Sequence, residues 1–155
     1  MCVSLSNVTY FIFPTEGGKG MNGGQGAQAT IFLIEEDDET RPLLKRNLQS
    51  YGYRVIVALD EEDALERVDG GHLQADLVLI NLVGKAPEEV LLVGRRIFKQ
   101  AKYDGHIPLV VMAEKYGVDL EGTDVNVSGN DWITYPEDAE QVQNLLARLL
   151  NKLSS

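Results

Sequence analysis

The sequence predicts an α/β fold, a doubly wound five-stranded parallel sheet with helices on both faces, and three observations predict it. Apolar runs without alternation recur at 31–34 (IFLI), 77–80 (LVLI) and 107–112 (IPLVVM), the pattern of strands buried on both sides. Segments with apolar residues at helical spacing separate them, so strand and helix alternate about five times. With 155 residues and 44% apolar composition, the chain supplies one core and is short for two.

Taken in order, IFLI is followed by an acidic run from Glu35 and a helix with Leu44, Leu48 and Tyr51 on one face, stopped by Gly52. YRVIVA (53–58) is the second strand. Asp60 caps a short helix that buries Ala64, Leu65 and Val68 and ends at Gly70 and Gly71. LVLI is the third strand. Pro87 opens a helix with Val90, Leu91, Gly94, Ile97 and Ala101 at helical spacing, and IPLVVM is the fourth strand. Residues 115–128, with Gly117, Gly122 and scattered Val, Thr and Asn, make a poor helix, expected to be short, frayed or replaced by loop. DWITYP (131–136) is the fifth strand, closed by proline. Glu137 and Asp138 then start a last helix striped with Val142, Leu145, Leu146, Leu149, Leu150 and Leu153. The order specifies a flavodoxin-like three-layer sandwich, a single domain over 30–153, whose ligands bind at the carboxyl ends of the strands. Three strand tips therefore matter: Glu35 and Glu36, Asn81, and Tyr135.

Charge and composition exclude several classes. The 24 acidic against 14 basic residues give a net charge of −10, which repels nucleic acid phosphates and anionic membrane surfaces. Arg95, Arg96, Lys99 and Lys102 cluster on one predicted helix and read as a solvated face, or a dock for an acidic protein. Cys2 is the single cysteine, and His72 and His106 stand apart, so neither a disulfide nor a metal-ligand spacing is present, which fits a reducing cytoplasm. The early apolar run VTYFIF (8–13) is too short to span a bilayer and lacks the flanks of a signal peptide. Residues 17–26, GGKGMNGGQG, have glycine at six of ten positions and read as a linker between an amino-terminal arm and the domain. A phosphate loop fails there, because Lys19 precedes Gly20 and a strand follows. Met21 leaves residues 1–20 as either a real arm or an upstream translation artefact.

TIFLIEEDDETRPLLKRNLQSYGY, ADLVLINLV, IPLVVMAE and DWITYPEDAEQ, in this order and spacing, resemble the receiver domain of bacterial two-component response regulators over about residues 30–150. The resemblance implies a carboxylate at the end of the third strand that attacks a phosphohistidine. It also implies Mg²⁺ held with an acidic pair, a hydroxyl after the fourth strand, and a lysine after the fifth. Residue by residue, the acidic pair falls on Glu35 and Glu36, the nucleophile on Asn81, the hydroxyl on Ala113 and the lysine on Tyr135. An amide is no nucleophile, alanine donates nothing from its side chain, and tyrosine carries no cation. The chain looks like a degenerate pseudo-receiver, not an enzyme, with Asn81 keeping the acceptor's shape while deleting its charge.

Further expectations follow from that resemblance. Asn81 donates its amide to Glu36, with the Tyr135 hydroxyl reaching the same group, and no cofactor is required. Mg²⁺ binding, if any, is weak and runs through Glu36. Trp132 falls where receivers carry an aromatic that swings between rotamers; without a phosphate to move it, packing on the sheet is the simpler role. Pro136 follows Tyr135 where the family's Lys-Pro bond is commonly cis, and sequence leaves the isomer open. The partner is another signalling protein or a second copy, with no nucleic acid and no membrane. With Ser155 soon after the last helix, a stand-alone cytoplasmic module is expected. A small-molecule binder at the carboxyl edge of the sheet is the alternative.

Overall fold

A computed structural model of the protein describes residues 28–154, with side chains to 151, and the backbone of residues 3–4. The Gly-rich linker, the rest of the arm and the Leu153 side chain lie outside the described residues. The elements are β1 (Val3–Ser4), β2 (Thr30–Glu35), α1 (Thr40–Ser50), β3 (Arg54–Ala58), α2 (Glu61–Val68), β4 (Leu77–Asn81), α3 (Pro87–Ala101), β5 (Leu109–Met112), β6 (Lys115–Tyr116), β7 (Thr123–Ser128), β8 (Asp131–Tyr135) and α4 (Ala139–Ser154).

Six strands form the main sheet in the order β3-β2-β4-β5-β8-β7. The first five run parallel, and β7 pairs antiparallel to β8. Every residue of β2, β4 and β5 is buried, which is why their sequences show no polar alternation. Nearer the edge, β3 is only partly buried and correspondingly mixed. Two apolar layers sandwich the sheet: Leu44, Leu48, Val142, Leu145, Leu146 and Leu149 from α1 and α4 on one face, and Ala64, Val68, Val90, Leu91, Val93 and Ile97 from α2 and α3 on the other. The flavodoxin-like three-layer fold expected from the sequence is the fold observed. Tyr51 departs from its expected place, being 37% exposed beyond the end of α1, while Leu65 is only partly buried.

The larger difference lies between β5 and β8. No fourth helix intervenes; the chain makes β6, turns, and returns as β7 along the outer side of β8. The sequence TDVNVS places β-branched residues at alternate positions, and Gly122 and Gly129, with φ of +87° and +50°, turn the chain at either end. Side chains secure the strand. Asp124 Oδ1 accepts from Thr134 Oγ1 at 2.7 Å and from Gln141 Nε2 at 2.9 Å, tying β7 to β8 and α4. Tyr116 of β6 fills space over β8, its ring edge-on to Tyr135 with centroids 5.5 Å apart and its hydroxyl donating to the Pro136 carbonyl.

Gly94 is where α3 approaches β5 most closely. A Cβ built there would lie 2.6 Å from Leu109 Cδ2 and 3.2 Å from its Cγ, and Leu109 is fully buried, so it has little room to yield. Gly94→Ala is expected to destabilise the fold by about 1–2 kcal/mol despite alanine's better helix propensity. Urea unfolding checks it, and an unchanged or higher midpoint would show that the helix can shift outward.

Candidate functional site

The carboxyl edge of β2 and β4 brings together two of the residues singled out by sequence. Glu35 and Asn81 are register partners at the ends of adjacent parallel strands. Glu35 is fully buried and Asn81 is 2% exposed. The Asn81 amide Nδ2 donates to both carboxylate oxygens of Glu35, at 3.0 and 2.9 Å. The expectation that Asn81 donates to Glu36 is therefore corrected. Glu35 is the partner because it ends β2 opposite Asn81, while Glu36 lies one residue further on, beyond the strand.

Glu36 has a different task. Its Oε1 accepts from the backbone N–H of Val83 at 2.7 Å, in the loop after β4. Glu114, next to Ala113 at the tip of β5, accepts from the N–H of Gly84 at 3.1 Å. Two carboxylates from different strand tips thus occupy two successive N–H donors of one loop, positions suited to holding an anion. Arg41 braces the other side, its Nε donating to the Glu35 carbonyl at 2.8 Å and an Nη donating to the Glu36 carbonyl at 3.1 Å. Asp37 serves the start of α1, its carboxylate taking the N–H and the hydroxyl of Thr40, both at 2.7 Å.

Ala113 is 2% exposed at the tip of β5 and offers only its backbone N–H, which donates to the Thr134 carbonyl. Tyr135 is 8% exposed and packed on Tyr116; among the described residues no hydrogen bond joins it to Glu36, so that expectation is corrected too. Burial, with the Glu88 charge nearby, pushes the Tyr135 hydroxyl above its ordinary range and keeps it neutral. Pro136 is buried behind it, and the Tyr135–Pro136 bond is trans. Trp132 lies on the opposite face of β8, paired across the ladder with Asn126 of β7 and covered by the Arg148 guanidinium 5.6 Å from its ring centroid. Those contacts hold it in place on the sheet. The basic cluster of α3 is partly neutralised from within, since Arg95 pairs with Asp131 at 2.8 Å and Arg96 with Glu61 at 2.7 Å.

Sequence reasoning missed Glu114 and Arg41. Glu114 was legible as the carboxylate following the residue in the hydroxyl position; Arg41 had no comparable signal.

Burial dominates the electrostatics of Glu35. Desolvation raises its pKa from 4.5 to about 7, against the opposing pull of the Asn81 amide and the Asp37 N–H. Asn81 Oδ1 is buried and has no hydrogen-bond partner. A protonated Glu35 could supply the missing donor, which an ionised one cannot. A hard cation fits this donor set poorly. Glu35 and Glu36 are turned to N–H groups, the third position is a neutral amide, and among the described residues no three acidic, His or Cys side chains are placed to hold a metal. Beside the site a groove of about 670 Å³ between the strand tips and α2 is lined by Glu36, Asp60, Glu62, Glu66, Leu82 and Lys85, a predominantly acidic wall.

No family model matches the chain. Solved structures do resemble it. The receiver domain of the hybrid histidine kinase CckA superposes with a TM-score of 0.54 at 21% identity, over 79% of this chain and 99% of that one. A two-component response regulator from Clostridium difficile gives 0.57 at 18% identity, over 83% and 100%. The chemotaxis protein CheY4 of Vibrio cholerae gives 0.52 at 19%, over 79% and 99%. The chain has the receiver fold. Among the described residues no helix is long and apolar enough to cross a membrane.

Two outcomes test the site. Because the folded pKa of Glu35 lies above its unfolded value, the folded state binds the proton more tightly between pH 4.5 and about 7, and this group's contribution to stability falls as pH rises through that window. The contribution amounts to ~3 kcal/mol. Glu35→Gln is expected to flatten that slope in chemical denaturation, and an unchanged slope would assign it elsewhere. Asn81→Asp sets a carboxylate about 3 Å from Glu35 and is expected to cost about 3 kcal/mol at pH 8 in EDTA, part of it recovered with Mg²⁺. Identical melting curves for both proteins under both conditions would contradict the charge argument.

Proposed function

We propose that this protein is a receiver-fold signalling module that works by binding another protein in a two-component-type pathway, independently of its own phosphorylation. The observation that carries this reading is the internal satisfaction of the strand-tip pocket. Asn81, at the acceptor position, is an amide bonded to buried Glu35, while the loop N–H groups of Val83 and Gly84 already hold Glu36 and Glu114. An amide nitrogen is not basic and its oxygen is a poor nucleophile, so an acyl phosphate does not form there. Ala113 and Tyr135 supply neither a side-chain donor beside it nor a cation for a transferred phosphoryl group. The pocket keeps the receiver's shape with its electrostatics closed.

Signal transfer then rests on surface recognition, with another signalling protein or a second copy as partner. The remodelled edge formed by β7, β8 and α4 differs from the helix-bearing face that receivers usually present, which supports a distinct partner specificity. A small-molecule role at the same edge is less well supported. The acidic groove repels phosphate-bearing ligands, and the strand tips offer no glycine-rich cradle at a helix start.

Incubation with a small phosphodonor and Mg²⁺ is expected to leave the intact mass unchanged. A gain of about 80 Da, one phosphoryl group, localised to Asp37 or Asp38 would overturn the phosphorylation-independent reading. Affinity capture from native lysate is expected to retain a histidine kinase, response regulator or output protein. Retention of a stoichiometric small molecule and no protein would favour the ligand-binding alternative.

A further inference from the structure

β7 is the outermost strand of the main sheet, and nothing among the described residues pairs with its free side. An open edge is a template for another strand, and proteins commonly blunt it with lysine or proline. TDVNVS has neither. Its Val125 and Val127 are 39% and 43% exposed, and Leu92 of α3 and Val118 before β7 add to the apolar surface on this side of the molecule. The missing fourth helix leaves this margin uncovered.

Three further observations indicate what covers it. β1 pairs antiparallel with β6, Val3 with Tyr116 and Ser4 with Lys115, which fixes the start of the arm at the carboxyl end of β8. Tyr116 packs there on Tyr135, which itself pairs with Thr123, the first residue of β7. The run Val8–Thr9–Tyr10–Phe11–Ile12–Phe13 is six residues of β-branched or aromatic type, and β7 is six residues long. Chain length fits as well. Ser4 to Val8 can span about 13 Å, enough to bring the run to the beginning of β7. Strand β2 starts at the amino end of the sheet, so the chain must travel from the carboxyl to the amino end before Thr30. Six extended residues cover about 20 Å of that path. Residues 13 to 28 can then span up to about 50 Å, while the return from a strand beside β7 to β2 crosses five strand spacings, about 24 Å.

We infer that residues 8–13 add to the free edge of β7 as a seventh strand, parallel to it, closing the margin left by the missing helix. The glycine-rich stretch 17–26 is then the return path beneath the sheet. Backbone hydrogen bonds to the open side of β7 hold the arm, and its alternating aromatic and β-branched side chains cover Val125 and its neighbours.

Hydrogen–deuterium exchange of the full chain, read by mass spectrometry, tests this. The amides of 8–13 are expected to exchange at least about tenfold slower than in the variant Phe11→Pro, which cannot complete the ladder. The same variant is expected to speed exchange of 123–128 and leave 77–81 unchanged. Val125→Asp, at an exposed position, is expected to release the arm without unfolding the domain. Exchange of 8–13 at the rate of an unstructured peptide in the unaltered chain would overturn the proposal. So would protection that appears only as protein concentration rises, since a second copy, not this arm, would then cover the edge.

Discussion

A buried carboxylate facing a buried amide is the constraint on which the strand-tip pocket depends. Parallel strands must bring their carboxyl ends together, and the β2–β4 register places Glu35 directly beside Asn81. Burial makes the ionised carboxylate expensive, and an ionised neighbour would make it more so. The amide resolves that conflict by offering a donor without adding a charge. Once Glu35 is held this way, Glu36 is free to turn outward and take the Val83 N–H, while Glu114 takes Gly84 from the other side. The loop after β4 is thus braced by the protein's own carboxylates, at a place where a receiver would handle an incoming anion.

The second departure, a strand in place of a helix, bears on how the molecule meets partners. A helix between β5 and β8 would cover the sheet margin and present a convex polar face. β7 instead extends the sheet and anchors through Asp124 to Thr134 and Gln141. Trp132 is caught in the same arrangement, between the β7 ladder and Arg148, so an aromatic that would otherwise rotate freely has neighbours on both sides. Both departures replace mobile, phosphate-responsive parts with fixed contacts.

Much of this was legible in the sequence because it rests on strong, local signals. Continuous apolar runs marked the central strands, Asp60 and Pro87 marked helix starts, and the acidic pair with Asn81 located the pocket. Residues 115–128 were legible only as a failed helix. The alternation of Thr123, Val125 and Val127 is short and interrupted by polar residues, and an edge strand gains its definition from pairing with β8 rather than from its own propensity. The partner of Asn81 was misread for a related reason. Glu35 and Glu36 differ by one position in sequence, and only the register decides which faces the amide. Tyr116 and Glu114 acquired their roles from tertiary packing that no local pattern encodes.

The most direct measurement of the central claim, a pocket closed by its own charges, is a carbon-detected NMR titration of the Glu35 carboxyl with and without Mg²⁺. The account gives a midpoint near pH 7, as burial requires, and no displacement by the cation. A midpoint in the ordinary carboxylate range, or one that moves down when Mg²⁺ is added, would mean that Glu35 faces solvent or metal and that the pocket remains open to phosphoryl chemistry.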